Sequence, residues 1–155
     1  MIPFSITIDR KQLFNNICQL TLYATEQMKD EMGVSQVDSY ILGETERELY
    51  ATIDEQAMYD MYDASQILYK GVDTPLTVSA EAFTLKGNIP SDLPVDMVAT
   101  TMTGTLVDLI LAKWWEIRKL TNLQQEYEQK SEKSLSKLKS RILSRNTNQI
   151  TYRPY

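Results

Sequence analysis

Apolar and polar residues alternate in Phe4-Ser5-Ile6-Thr7-Ile8, and the β-branched members complete the signature of a half-buried strand over residues 3–8. The period then changes. Leu13, Ile17, Leu20, Ala24 and Met28 recur every three or four residues between Asp9, a capping residue, and Gly33, a terminator, which predicts a helix over residues 10–32. A second helical pattern covers residues 44–70 and stops at Lys70-Gly71, where a cation and a glycine suit a helix C-terminus. Between the two, Tyr40-Ile41-Leu42 fits a short strand or an early turn of the second helix, and is read as a separate element.

Residues 72–90 break the helical period. Asp73-Thr74-Pro75 and Lys86-Gly87-Asn88 have turn chemistry, while Leu76-Thr77-Val78 and Phe83-Thr84-Leu85 are β-type triplets, so a small hairpin or irregular flap protruding from a helical body is expected. Ile89-Pro90-Ser91-Asp92-Leu93-Pro94 then punctuates the chain, with Asp92 as the expected cap of a third helix over residues 95–119. Gly104 and its threonine neighbours weaken the first half of that helix. Its second half, Leu106 to Ile117, is apolar on nearly every side, the mark of the most buried helix of the domain. The fourth helix, residues 120–145, carries Leu120, Leu123, Tyr127, Leu138 and Ile142 on one stripe, and only Thr121-Asn122 separates it from the third. The two helices therefore form a tight antiparallel pair or one bent helix. Residues 146–155 lose the periodicity and read as an extended C-terminal arm. The expected fold is mainly α: a four-helix bundle-like domain over residues 1–145 with a small β flap.

Composition narrows the chemistry. The chain has 155 residues, 43% of them apolar, which suits one domain with a real core. It has no histidine, so Ser-His and Cys-His nucleophile pairs, imidazole bases and histidine zinc sites are excluded. The single Cys18 forms neither an internal disulfide nor a thiolate metal cluster, and nothing calls for an oxidising compartment. No stretch of about 20 apolar residues predicts a membrane span, and the first residues lack the basic start of a secretory signal, so a cytosolic site of synthesis is expected. The glycines are scattered and match no phosphate-binding loop, and no cofactor site is expected. Asp54, Glu55, Asp60 and Asp63 fall largely opposite the apolar stripe of the second helix, which reads as a solvated face.

Three features point to contact. The second helix has one apolar stripe, Leu49, Tyr50, Ile53, Ala57, Met61, Ala64 and Leu68, and beside it another, Met58, Tyr62, Ser65 and Tyr69; the second stripe is satisfied by deeper burial or by a subunit interface. Trp114 and Trp115 point 100° apart on a helix, so with one in the core the other, Trp115, is a candidate interface anchor at its edge. The tail residues Tyr152, Arg153 and Tyr155 read either as a disordered end or as a strand-like arm that docks on a partner.

Charge is uneven along the chain. The net of −5 resolves into 5 basic and 12 acidic residues over positions 1–70, 3 and 6 over 71–118, and 8 and 3 over 119–155, that is −7, −3 and +5. Lys130, Lys133, Lys137 and Arg141 form one basic ridge on the fourth helix, which reads as a solvated face or as a surface for a phosphate backbone or an acidic protein such as the second helix of a neighbouring copy.

The order of parts resembles the head-tail adaptor, or connector, proteins of tailed bacteriophages. The likeness covers about residues 44–145: an acidic helix with paired apolar and Tyr positions (Glu46 to Lys70), a β-type excursion (Leu76 to Ile89), a Leu93-Pro94 helix entry, an apolar helix ending in aromatics (Leu106 to Trp115), and a polar last helix with Tyr127, Leu138, Arg141 and Arg145. The helix over residues 10–32 is an extra relative to the simplest members. The resemblance implies a non-enzymatic virion protein of the neck, assembling as a homo-oligomeric ring, usually of twelve, under the portal. Such a ring meets further neck or tail proteins and extends a channel through which DNA passes without sequence-specific binding. A different class, a small helical regulatory module binding nucleic acid through the basic ridge, is the alternative.

Overall fold

The computed structural model describes residues 1–32 and 40–151, with the side chains of Met32 and of residues 145–151 left aside. The fold is mainly α with a small antiparallel sheet, as the periodicities predict. Strand β1 (Ile2–Asp9) leads directly into helix α1 (Arg10–Met32), and the Asp9 carboxylate accepts the backbone N–H groups of Lys11 and Gln12 at 2.9 and 3.0 Å, a side-chain cap on the first turn. The expected separate element at residues 40–42 is not a strand: Tyr40 lies in a 3-10 turn, and Ile41 and Leu42 are irregular. It is a strut: Leu42 N–H is held by Thr21 Oγ1 at 3.0 Å, and the Tyr40 carbonyl accepts the Trp114 indole N–H at 2.8 Å.

The helix expected over residues 44–70 is divided. A short 3-10 turn (Glu44–Glu46) precedes helix α2 (Arg47–Ala64), and a second (Gln66–Leu68) follows it. The break falls at Ser65, whose hydroxyl bonds back to the Met61 carbonyl at 2.7 Å, a side-chain competitor for the helical ladder. Gly71, at φ 82, then turns the chain in a conformation that glycine adopts at little cost.

The flap does not protrude. Strands β2 (Leu76–Val78) and β3 (Ala82–Ile89) form the hairpin, but β3 also pairs antiparallel with β1 along its whole length, giving the order β1-β3-β2. Phe4, Ile6 and Ile8 of β1 and Phe83, Leu85 and Ile89 of β3 share one buried face, because a period of two places alternate residues on the same side. Gly87 was expected in a turn; it lies inside β3, where a Cβ would sit 2.4 Å from the Leu68 carbonyl and 2.7 Å from the Phe4 ring.

Helix α3 (Val95–Ile117) starts after Pro94, which holds the cap position expected for Asp92. It packs most heavily on helix α4 (Thr121–Thr151) and then on α2, α1 and β1. By length and mean hydropathy alone α3 passes for a membrane span, contrary to the sequence reading, and burial among four other elements accounts for its apolar character. The link between α3 and α4 is an antiparallel turn: Lys119 adopts φ 61, its N–H reaches the Glu116 carbonyl at 3.0 Å, and Leu120 N–H reaches the Trp115 carbonyl at 2.9 Å. The extended arm over residues 146–155 is corrected in part, since α4 continues to Thr151. The remainder, including Tyr152, Arg153 and Tyr155, lies outside the described residues.

Two glycines give opposite expectations. Gly87→Ala forces backbone and ring apart and is expected to cost about 1–3 kcal/mol, in the range of overpacked cores. Gly104→Ala, in mid-helix with nothing within 4 Å of the new methyl, is expected to gain up to about 1 kcal/mol. Urea unfolding of the three proteins checks both signs.

Candidate functional site

The sequence-based interface residues divide sharply. Met58, Tyr69 and Trp115 are buried core residues, and Tyr62 is half-buried with its ring stacked on Tyr69 at 4.9 Å. The second stripe of α2 is thus satisfied inside the subunit, and its role as an open interface is withdrawn. Both tryptophans are buried as well, because α3 is covered on both of the directions in which they point. Leu49, placed on the first stripe, is 40% exposed instead.

The basic ridge stands. Lys130, Lys133, Lys137 and Arg141 are all exposed along α4. Lys130 pairs with Glu126 at 3.3 Å and lies 4.5 Å from the centre of the Tyr127 ring, which leaves its charge at the surface. Lys137 and Arg141 border a shallow groove of about 160 Å3 with Met97, Thr101 and Leu138, and the Arg141 guanidinium points at the Met97 sulfur, 3.4 Å away. Opposite charge sits on α2, where Glu48, Asp60 and Asp63 are exposed; Asp60 is joined to Lys113 at 2.7 Å. Both helices pack on α3 and, among the described residues, have no substantial contact with each other. The ridge and the acidic face therefore occupy different flanks of the same central helix.

A third feature escaped the sequence reading. Asp54 is 1% exposed, not solvated, and faces Arg10, itself only 8% exposed. Arg10 is the first residue of α1. Its Nε donates to Asp54 Oδ2 at 3.0 Å and Nη2 to Asp54 Oδ1 and the Ala51 carbonyl, while Nη1 donates to Glu55 Oε1 at 3.1 Å and to the Ser79 carbonyl at 2.8 Å. Phe83 supports the guanidinium from one face, 4.6 Å from its ring centre. One side chain so ties together α1, α2 and the β2–β3 turn. Burial pushes the Asp54 carboxyl up, against the opposing pull of Arg10. Burial likewise works against the Arg10 charge, yet the two carboxylates raise it overall. A signal for this pair was present: Asp54 lies four residues before Met58 and so extends the Met58-Tyr62-Ser65-Tyr69 stripe by one turn into the core.

Beside the pair is a groove of about 500 Å3, floored by Phe14 and Tyr50, with Lys11, Arg47 and Glu55 around it and Val78 and Ser79 as its far wall. The Tyr50 hydroxyl is buried without a hydrogen-bond partner among the described residues, and burial raises its pKa far out of the neutral range. The phenol stays protonated, and the donors of Arg10 are engaged. The groove offers shape, two aromatic rings and mixed charge, which suits docking of a protein segment.

The buried pair is testable by a double-mutant cycle. Asp54→Leu leaves the buried Arg10 charge with only the half-exposed Glu55 as a carboxylate partner and is expected to cost about 3 kcal/mol, whereas Arg10→Met combined with Asp54→Leu is expected to recover most of that loss. Thermal unfolding of single and double variants reads the difference. Searches among known proteins return no family model, no curated protein and no solved structure that matches this chain.

Proposed function

We propose that this chain is a structural, non-enzymatic assembly subunit, a head-tail adaptor that packs side by side with copies of itself in a ring under a portal and extends the DNA channel in the virion neck. The observation that supports it best is the separation of charge on the folded surface: a basic ridge on α4 and an acidic face on α2, on different flanks of α3. A closed ring is built from a heterologous interface, in which each subunit presents two different and complementary surfaces. A uniformly charged domain has no such pair. The buried aromatic stripe of α2 lends no support, so the reading rests on the charged faces and on the order of elements that resembles the connector family. An acidic lumen lets DNA slide, and the negative overall charge of the chain agrees with passage without tight binding.

The decisive measurement is the mass and shape of the purified full chain, alone and mixed with a portal from the same virion, by light scattering and negative-stain imaging. Portal-bound rings are expected, and raising salt from about 0.1 to 1 M, which shortens the screening length from about 10 to about 3 Å, is expected to weaken them. A chain that stays monomeric and ignores the portal overturns the reading. The nucleic-acid alternative predicts a different result: affinity for duplex DNA that falls steeply with salt and is lost on charge reversal of Lys130, Lys133, Lys137 and Arg141.

A further inference from the structure

The sheet ends in two open edges of different kinds. Arg10 N–H donates to the Glu81 carbonyl at 2.9 Å, which continues the β1–β3 ladder and fixes its parity. Even-numbered residues of β1 turn their backbone groups toward β3, so the N–H and C=O of Ser5 and Thr7 point away from the sheet. On the other side, Lys86 N–H to the Pro75 carbonyl at 2.8 Å and Ser79 N–H to the Ala82 carbonyl at 3.0 Å turn odd-numbered residues of β2 toward β3. Leu76 and Val78 then face outward. None of these outward backbone groups has a partner among the described residues.

An unpaired strand edge is a template for another strand, and proteins that keep an edge free blunt it with charge, proline or brevity. β1 is eight residues long and carries Pro3 near its start and Asp9 at its end, with nothing protective from Phe4 to Ile8. Its open edge faces a groove of about 600 Å3 bounded by Thr7, Asn16, Thr103 and Gly104. The edge at Val78 opens onto the groove beside the Arg10–Asp54 pair.

The two edges differ in charge as well as in shape. The β1 edge adjoins α3, whose Asp108 is the one charged residue lining its groove among the described residues. The β2 edge opens on a groove that Lys11 and Arg47 line together with Glu55. β1 and β2 both run antiparallel to β3 and so run in the same direction as each other. A rotation that carries one copy onto the next therefore brings β1 of one beside β2 of its neighbour in parallel, with Asp108 at the groove of the first toward Lys11 and Arg47 at the groove of the second.

We propose that the occupant of the β1 edge is β2 of a second copy, so that the sheet runs unbroken across every subunit boundary of the ring. This rests on the ring reading above and specifies its interface. Ser5, Thr7 and Thr77 are exposed on the outer face of the sheet and accept substitution without touching the core. Single variants Ser5→Cys or Thr7→Cys are mixed with Thr77→Cys, assembled on the portal, oxidised and run on non-reducing gels, with wild type, which keeps Cys18, as the blank. A disulfide-linked dimer is expected from at least one mixed pair, in the assembled sample only. Thr7→Pro removes an outward N–H while sparing the β3 ladder, and is expected to fold, by circular dichroism, yet to form no rings. Wild-type rings without mixed cross-links, or folded Thr7→Pro that still assembles, overturn the strand pairing and leave the ring reading intact. Cross-linking of Thr7→Cys to itself alone assigns the edge to a two-fold dimer instead, which also overturns the proposal. Wild type that forms no rings removes the ring reading itself.

Discussion

The second half of α3, Leu106 to Ile117, is apolar on nearly all sides and has to be covered on most of them, and it imposes that requirement on the chain. One layer does not suffice. α4 folds back along it through a tight turn, α2 and α1 take further faces, and β1 reaches it from the sheet. The second apolar stripe follows from the same requirement, since Met58, Tyr62 and Tyr69 meet a core that extends past the width of a single helix contact. A central helix that consumes so much apolar surface leaves the outer faces of its neighbours polar. The charge of the fold therefore collects on the outside of α2 and α4.

The Arg10–Asp54 pair shows a different use of burial. Two charges withdrawn from water lose hydration worth several kcal/mol each, and their attraction recovers this only where geometry and further hydrogen bonds are good. Here the donors of Arg10 reach two carboxylates and two carbonyls, and the opposing influences on Asp54 mirror that near balance. What the pair contributes is placement. It fixes the start of α1 against the middle of α2 and the tip of the β2–β3 hairpin, three segments distant in sequence.

Much of the architecture was legible from periodicity. The five-residue alternation at Phe4 to Ile8, the cap at Asp9, and the all-round apolar character of Leu106 to Ile117 each reflect local rules that the fold obeys. What the residues alone concealed is long-range. No local rule tells that β3 continues through Gly87, because the glycine is there to admit the Leu68 carbonyl and the Phe4 ring, contacts made across the sheet and with a distant turn. Nor does a wheel drawn for one helix distinguish a stripe that meets another subunit from one that meets the same chain, and so Met58, Tyr69 and Trp115 read from sequence as interface candidates although burial accounts for them. Asp54 misled for a related reason: a carboxylate is read as solvated unless its cation is in view, and Arg10 lies 44 residues away.

The placement of the two tryptophans carries a consequence for observing the molecule. Both lie buried on α3, with Trp114 hydrogen-bonded to the Tyr40 carbonyl and stacked under Arg118, whose guanidinium is 4.4 Å from its ring centre. Indole emission therefore reports the interior alone. It follows the undocking of residues 40–42 or the parting of α3 from α4, and it is silent when the outer faces meet a neighbour. Folding and assembly of this chain are thus separable by optical means, without any label.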